Sequence, residues 1–289
     1  MQEVICPACG HLEHTQHLKV EDHFLSKESF ELLRCNACQL VFTTPRPSLE
    51  KIGDYYKSED YVSHSSTKKG LVNSVYNWVR NYTLNKKVKL ISSLVSGRQL
   101  LDIGAGSGHF VGRAKTAGYT VLGLEPDADA RKVAKELNDV DLENLDRLYE
   151  LTPATYDVVT MWHVLEHVYN LSDDVKQIAS LIQTNGVWVI AVPNYTSFDA
   201  TYYGSYWAAY DVPRHLYHFE PNSIIPLIEK NGFTFEKMLP MKFDSYYVSM
   251  LSEKYKGGSL FNALRIGWLS NMRSKNGKCS SQIYVFRKK

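Results

Sequence analysis

No stretch of this 289-residue chain is apolar over anything near the roughly 20 residues needed to cross a bilayer. A membrane-spanning helix is therefore not expected. Charge of one sign is also missing: 33 basic residues face 31 acidic ones, a net +2. A whole-molecule polyelectrolyte partner for nucleic acid is excluded on that balance. The opening residues MQEVICPACG lack the basic and apolar regions of a secretory signal, so a soluble, cytoplasmic protein is expected. Cysteine is scarce and uneven: of five, four lie in the first forty residues and Cys279 is alone near the end. That placement speaks against a disulfide framework, and paired cysteines in a reducing compartment read as metal ligands. A hydrophobic share of 44% is ample for a core, and the length allows one large domain or two small ones.

The four early cysteines form two knuckles, Cys6-Pro7-Ala8-Cys9-Gly10 and Cys35-Asn36-Ala37-Cys38. Each CxxC turn aims two sulfurs at one point, and two such turns supply the tetrahedral thiolate set of a structural Zn2+. A four-thiolate site has no open position, so this zinc folds the segment and does no chemistry. A redox pair accounts for one knuckle but not for two. His11, His14, His17 and His23 lie between the knuckles and read as solvated surface residues. Residues 1–45 are thus expected to be a zinc ribbon. Residues 46–96 follow as a helical linker and cap, with Tyr55, Tyr56 and Tyr61, a polar and mobile run from Ser63 to Gly70, and helical apolar spacing over Leu71 to Leu94.

Gln99-Leu100-Leu101-Asp102-Ile103 is a short apolar run that enters Gly104-Ala105-Gly106-Ser107-Gly108, after which a helical pattern resumes. Strand, glycine loop and helix open a doubly wound α/β domain. A dinucleotide fingerprint would need glycine at 109, where the chain has His109. A second strand, Tyr119 to Leu124, ends in Glu125-Pro126-Asp127, and a carboxylate there can accept from both ribose hydroxyls. A third segment, Tyr156 to Met161, runs through Trp162-His163 into Val164-Leu165-Glu166-His167-Val168.

The GxGxG loop preceded by Asp102, the acidic strand end and the LEHV segment together resemble class I S-adenosylmethionine-dependent methyltransferases over about residues 97–195, and with the knuckles the sugar and small-molecule branch. The resemblance implies a Rossmann-like sheet of seven strands. The last is antiparallel, lies between the fifth and sixth, and is expected over Ser281 to Phe286. It implies S-adenosyl-L-methionine as cofactor and S-adenosyl-L-homocysteine as product. The cofactor would be held by Asp102, Gly104, Ala105, Gly106, Gly108, Glu125, Pro126, Asn144 at the adenine, and Trp162 and His163 at the methionine end. Residues 97–289 form this domain, with a substrate cover at 195–221 and an insertion at 241–280 that is helical around Leu260 to Leu269.

The cover is rich in aromatic residues and carries Asp211, Arg214, His215 and His218. An aromatic plug tied by an Asp211–Arg214 ion pair is the alternative to a pocket lining. Methyl transfer needs an aligned acceptor and, for a hydroxyl, a base. His163, His167, His215 and His218 are the candidate bases, with His167 and His215 ranked first. His167 faces the pocket in the zinc-containing sugar C-methyltransferases that the chain resembles. Basic residues near Lys86 and in the last third, against acidic ones between Glu125 and Asp157, favour a small anionic acceptor such as a nucleotide-linked or cell-envelope sugar, methylated on O or C. An RNA methyltransferase, a quinone-precursor methyltransferase and a non-catalytic cofactor-binding module are the alternatives. The acidic residues of the ribbon, Glu3 to Glu31, speak against nucleic acid.

Overall fold

Alternation shapes the amino-terminal strands. In Ser29–Cys35, Phe30 and Leu32 point inward while Ser29 and Glu31 face solvent. The computed structural model describes residues 4–56 and 71–289; Tyr61 and the Ser63 to Gly70 run lie outside them. Strands β1 (His14–Glu21), β2 (Ser29–Cys35) and β3 (Val41–Thr44) form an antiparallel meander. Asp22 closes its first turn: the carboxylate accepts from the backbone amides of Phe24, Leu25 and Ser26. A short helix α1 (Leu49–Ile52) and a 3-10 turn, Gly53–Tyr56, follow.

The larger unit begins with helix α2 (Leu71–Leu94) and continues through β4 (Gln99–Ile103), α3 (His109–Thr116), β5 (Thr120–Leu124), α4 (Ala128–Asn138) and β6 (Tyr156–Trp162). Helix α5 (Leu171–Leu181), β7 (Ile182–Pro193), α6 (Phe198–Tyr203), β8 (Tyr217–His218), α7 (Pro221–Glu229) and β9 (Phe233–Pro240) come next. A helical hairpin, α8 (Asp244–Lys256) and α9 (Leu260–Met272), precedes β10 (Ser281–Lys288). Helix α5 buries Leu171, Val175, Ile178 and Ala179, one face at helical spacing.

The main sheet has the order β5-β4-β6-β7-β10-β9. The first four strands are parallel, and β10 runs antiparallel to both β7 and β9. This is the mixed Rossmann-like architecture with a final antiparallel strand. Among the described residues six strands form where seven are expected. At the β5 edge a single parallel bridge, Leu124 to Glu143, stands in the place of the seventh. The reason is local: Asp141, Glu143 and Asn144 are exposed and polar, and only Leu142 tucks beneath Gly123. Strands β7 and β10 are buried on both faces, which accounts for their unbroken apolar runs.

Two features differ from the sequence reading. The aromatic residues of 195–221 do not face a pocket as a group: Tyr203, Trp207, Tyr210, Tyr217 and Phe219 are all buried, and three of them pack with Val20, Phe30 and Leu32 in one apolar cluster. A plug is the arrangement found. Its strand β8 pairs antiparallel with β3, His218 opposite Val41 and Tyr217 opposite Phe42, so the amino-terminal sheet has four strands. Secondly, the 241–280 segment holds two helices, not one. Ser245 hydroxyl donates to the Gly267 carbonyl where the two pack. Among the described residues no helix is long and apolar enough to cross a membrane.

Candidate active site

The parallel strands of the sheet deliver their carboxyl ends to one edge, the place where open α/β sheets bind ligands. The loop after β4 carries Gly104, Gly106 and Gly108 in the left-handed region, φ 71°, 54° and 73°. A Cβ on Gly104 would lie 2.3 Å from Val164, so glycine is required for the turn after β6 to approach. A Cβ on Gly106 would meet nothing within 4 Å. That side of the loop is open, as a close-lying ligand demands. Gly108 caps α3, whose first turn presents free amides toward the same space.

Asp102 is buried one residue before the end of β4, where Thr160 donates to it at 2.6 Å. Burial lifts its carboxyl to about 7, against the pull of Thr160 and of the Lys87 ammonium. Lys87 in turn is pushed down to about 8 by burial. It sits 4.1 Å over the Trp162 ring, whose edge meets Phe110. The Trp162 Nε1 is buried without a hydrogen-bond partner among the described residues.

Glu125 follows β5 and is buried. Its two oxygens accept from the backbone amides of Gly106, at 2.8 Å, and Asp127, at 3.0 Å. The carboxylate therefore joins the glycine loop to the end of the next strand. Burial raises its pKa. Pro126 beside it is exposed. Asn144 is exposed and caps a short turn: its amide nitrogen donates to Asp146 at 3.0 Å.

At the end of β6 the chain turns sharply on His163, a non-glycine residue with φ 60°. Its Nε2 lies 3.0 Å from Asp244 of α8 and its Nδ1 3.4 Å from Glu166. Burial opposes protonation, but these two carboxylates outweigh it and raise His163 to about 10. Glu166 is fully buried. His167 Nδ1 lies 3.0 Å from the Arg214 carbonyl and 3.0 Å from the Tyr56 hydroxyl, and its ring meets His215 edge-on at 4.6 Å. Burial, aided by His215, lowers His167 to about 4. His215 Nδ1 lies 2.9 Å from the Ala209 carbonyl. Arg214 holds the segment in place: it pairs with Asp211 at 2.7 Å and Asp22 at 3.0 Å and donates to the Tyr55 carbonyl.

The structure thus brings His167 and His215 together, with Glu166. His218 stands apart from that group. Thr43 hydroxyl donates its one proton to the His215 carbonyl, so the 3.0 Å contact between Thr43 and His218 Nε2 is a bond from the ring to the hydroxyl. His17 and His23 are half-buried, not solvated; they pack on Tyr195 and Tyr206 at 5.1 and 4.9 Å. Glu166, Asp244, Tyr56, Lys87 and Thr160 escaped the sequence reading. The Glu166–His167 adjacency was visible as a signal. Asp244 and Tyr56 reach the site from distant segments and carry no local mark.

Sulfurs of Cys6, Cys9, Cys35 and Cys38 lie within 4.8 Å of one another. Cys6 and Cys38 are 3.5 Å apart, Cys9 and Cys35 3.6 Å. A zinc tetrahedron with metal–sulfur bonds of about 2.3 Å has edges of about 3.8 Å, so the donor set fits that ion.

Comparison with known proteins agrees with this geometry. A family model described as a methyltransferase domain matches residues 77–237, more than half of the 289-residue chain. A ubiquinone biosynthesis O-methyltransferase of Rickettsia typhi is 26% identical over 203 residues, 68% of this chain and 77% of that protein. One of the same name from Photobacterium profundum is 35% identical over 97 residues, 31% of this chain and 41% of that protein. Among solved structures, magnesium protoporphyrin IX methyltransferase of Synechocystis PCC 6803 with bound SAH aligns with TM-score 0.55 at 16% identity, covering 84% of this chain and 100% of that one. A SAM-dependent methyltransferase from Archaeoglobus fulgidus aligns with TM-score 0.51 at 20% identity, covering 72% of this chain and 94% of that one. These likenesses show the fold. With the family model and the sequence relatives, they lead to one statement: the chain belongs to the S-adenosylmethionine-dependent methyltransferases of class I.

Proposed function

We propose that this methyltransferase acts on a small anionic acceptor, a nucleotide-linked or cell-envelope sugar, at an oxygen or carbon atom. One observation carries the reading: Glu166, His167 and His215 converge where β6 ends, beside the Trp162–His163 turn. S-adenosylmethionine, when bound, supplies an electrophilic methyl group. Asp102, Gly104, Ala105, Gly106, Gly108, Glu125, Pro126, Asn144, Trp162 and His163 would hold it. The open face of Gly106 and the Glu125 carboxylate that spans two loops support this set. Glu125 takes the ribose hydroxyls; the buried Trp162 Nε1 is a donor in want of an acceptor.

His167 and His215 would take the acceptor's proton. Backbone carbonyls only accept, so each Nδ1 facing one carries hydrogen, and in the neutral ring Nε2 is the nitrogen that can take a proton. His218, engaged with Thr43, is the weaker candidate. Lys87 beside Trp162 supports a negatively charged acceptor. The four cysteines would hold one structural zinc.

A quinone precursor is the second reading, favoured by the names of the Rickettsia and Photobacterium relatives. Transfer of labelled methyl from S-adenosylmethionine to a panel of nucleotide sugars, catechols and tRNA decides between them. Methylation of a catechol with every sugar inert would overturn the sugar reading.

A further inference from the structure

We propose that Glu166, His167 and His215 bind one divalent transition-metal ion, distinct from the cysteine site; the inference rests on reading this cluster as the acceptor end of the active site. One ligand atom from each residue lies within 4.8 Å of the other two. The second observation is Glu166 itself. It is 0% exposed, and neither carboxylate oxygen has a hydrogen-bond partner among the described residues. Its ion-pair contact is His163 Nδ1 at 3.4 Å, longer than a hydrogen bond to a carboxylate. A carboxylate offers about four lone-pair sites, and a buried one without donors is costly unless an ion or ordered water completes it.

Both imidazoles are set up as ligands. The Arg214 carbonyl fixes His167 through Nδ1 at 3.0 Å, and the Ala209 carbonyl fixes His215 through Nδ1 at 2.9 Å. Tyr56 hydroxyl lies on the same side of His167, 3.0 Å from Nδ1. The remaining nitrogen of each ring is Nε2, which in the neutral ring offers a lone pair to an ion; that of His215 lies 3.9 Å from the Asp211 carboxylate. A ligand histidine that donates its other N–H to a carbonyl is the usual outer-shell arrangement of metal sites. Two imidazoles and one carboxylate suit first-row divalent ions and leave coordination positions open.

With such an ion bound, the lone pairs of His167 and His215 would hold it in place of taking a proton, and the ion itself would hold an acceptor oxygen and make its proton easier to lose.

The test is titration of the zinc-replete protein, without cofactor, with Mn(II), followed by the electron paramagnetic resonance of the free ion. One Mn(II) per chain is expected beyond the metal at the cysteines. Glu166→Gln and His167→Gln should each weaken it by about tenfold or more, with zinc content and far-ultraviolet dichroism unchanged. His167 is half-buried, so its variant is the one expected to fold if Glu166→Gln does not. Failure of the wild type to take up Mn(II), Co(II) or Zn(II) beyond the cysteine site, or uptake unaltered in both variants, overturns the proposal. Full methyl transfer by protein that binds no ion here overturns the ion site and leaves the acceptor reading standing. Stoichiometric binding with every acceptor inert does the reverse.

Discussion

In the cofactor half, the decisive contacts run through the main chain: Glu125 accepts from the amides of Gly106 and Asp127, and the loop turns on glycines at positive φ. In the acceptor half, side chains from separate segments meet one another and the backbone carbonyls of Arg214 and Ala209, with Tyr56, Glu166, His167, His215 and Asp244 gathered around the turn after β6. On the proposed reading the first half would recognise a nucleoside by backbone shape, and the second would set charge and proton positions at the acceptor. Substitutions in the two halves should therefore separate cleanly in kinetics.

The largest effect is expected in the acceptor half. His215→Ala should cut kcat by about 10²–10⁴-fold while the Kd for S-adenosylmethionine, measured by calorimetry, stays near wild type. A matching loss of cofactor affinity would break the division. Glu125→Ala is the converse. It removes hydrogen bonds to a charged group, and a cofactor Kd raised by about 10–100-fold is expected, with kcat at saturation little changed. Third, Thr43→Val strips the hydroxyl that links the His215 carbonyl to His218 Nε2. Denaturant unfolding should show a loss of about 1–3 kcal/mol, since buried groups lose a partner. The fourth effect is pH-dependent. Asp102 has its carboxyl raised to about 7 in the fold from an ordinary 3.8. The folded state then holds the extra proton between those values, so this residue's stability is full below about 3.8 and is lost as pH rises through about 7. Asp102→Asn should raise Tm relative to wild type at pH 8, an advantage that shrinks toward pH 4. An advantage independent of pH would contradict the buried-acid account.

The cofactor half was legible in the sequence because its parts are local. A strand, a glycine loop and a helix lie within twenty residues, and Glu125 closes the very next strand. The last antiparallel strand and its place between β7 and β9 were readable only through the family resemblance, because its partners are distant in the chain. The acceptor half was legible only in part. His167 and His215 stand out as titratable residues in a marked segment, but Asp244 enters from a helix with no clear amphipathic period and Tyr56 from a short turn. The aromatic run at 195–221 misled for a physical reason: composition identifies large rings but not the sheet they bury against, and the partners here, Val20, Phe30 and Leu32, lie more than 150 residues earlier. The missing seventh strand shows the opposite limit. A family pattern anticipates a strand that the polar residues Asp141 and Glu143 do not sustain.

Strand β8 belongs to the amino-terminal sheet, yet it lies two residues beyond His215 in the chain. The second cysteine knuckle adjoins the same end of that sheet: Arg34, the neighbour of Cys35, lies opposite Val41 of β3, which lies opposite His218. Removal of a zinc held by these cysteines would thus be felt as slack in the histidine segment. An oxidant or a zinc-withholding environment could silence methyl transfer without touching a single atom that meets the cofactor.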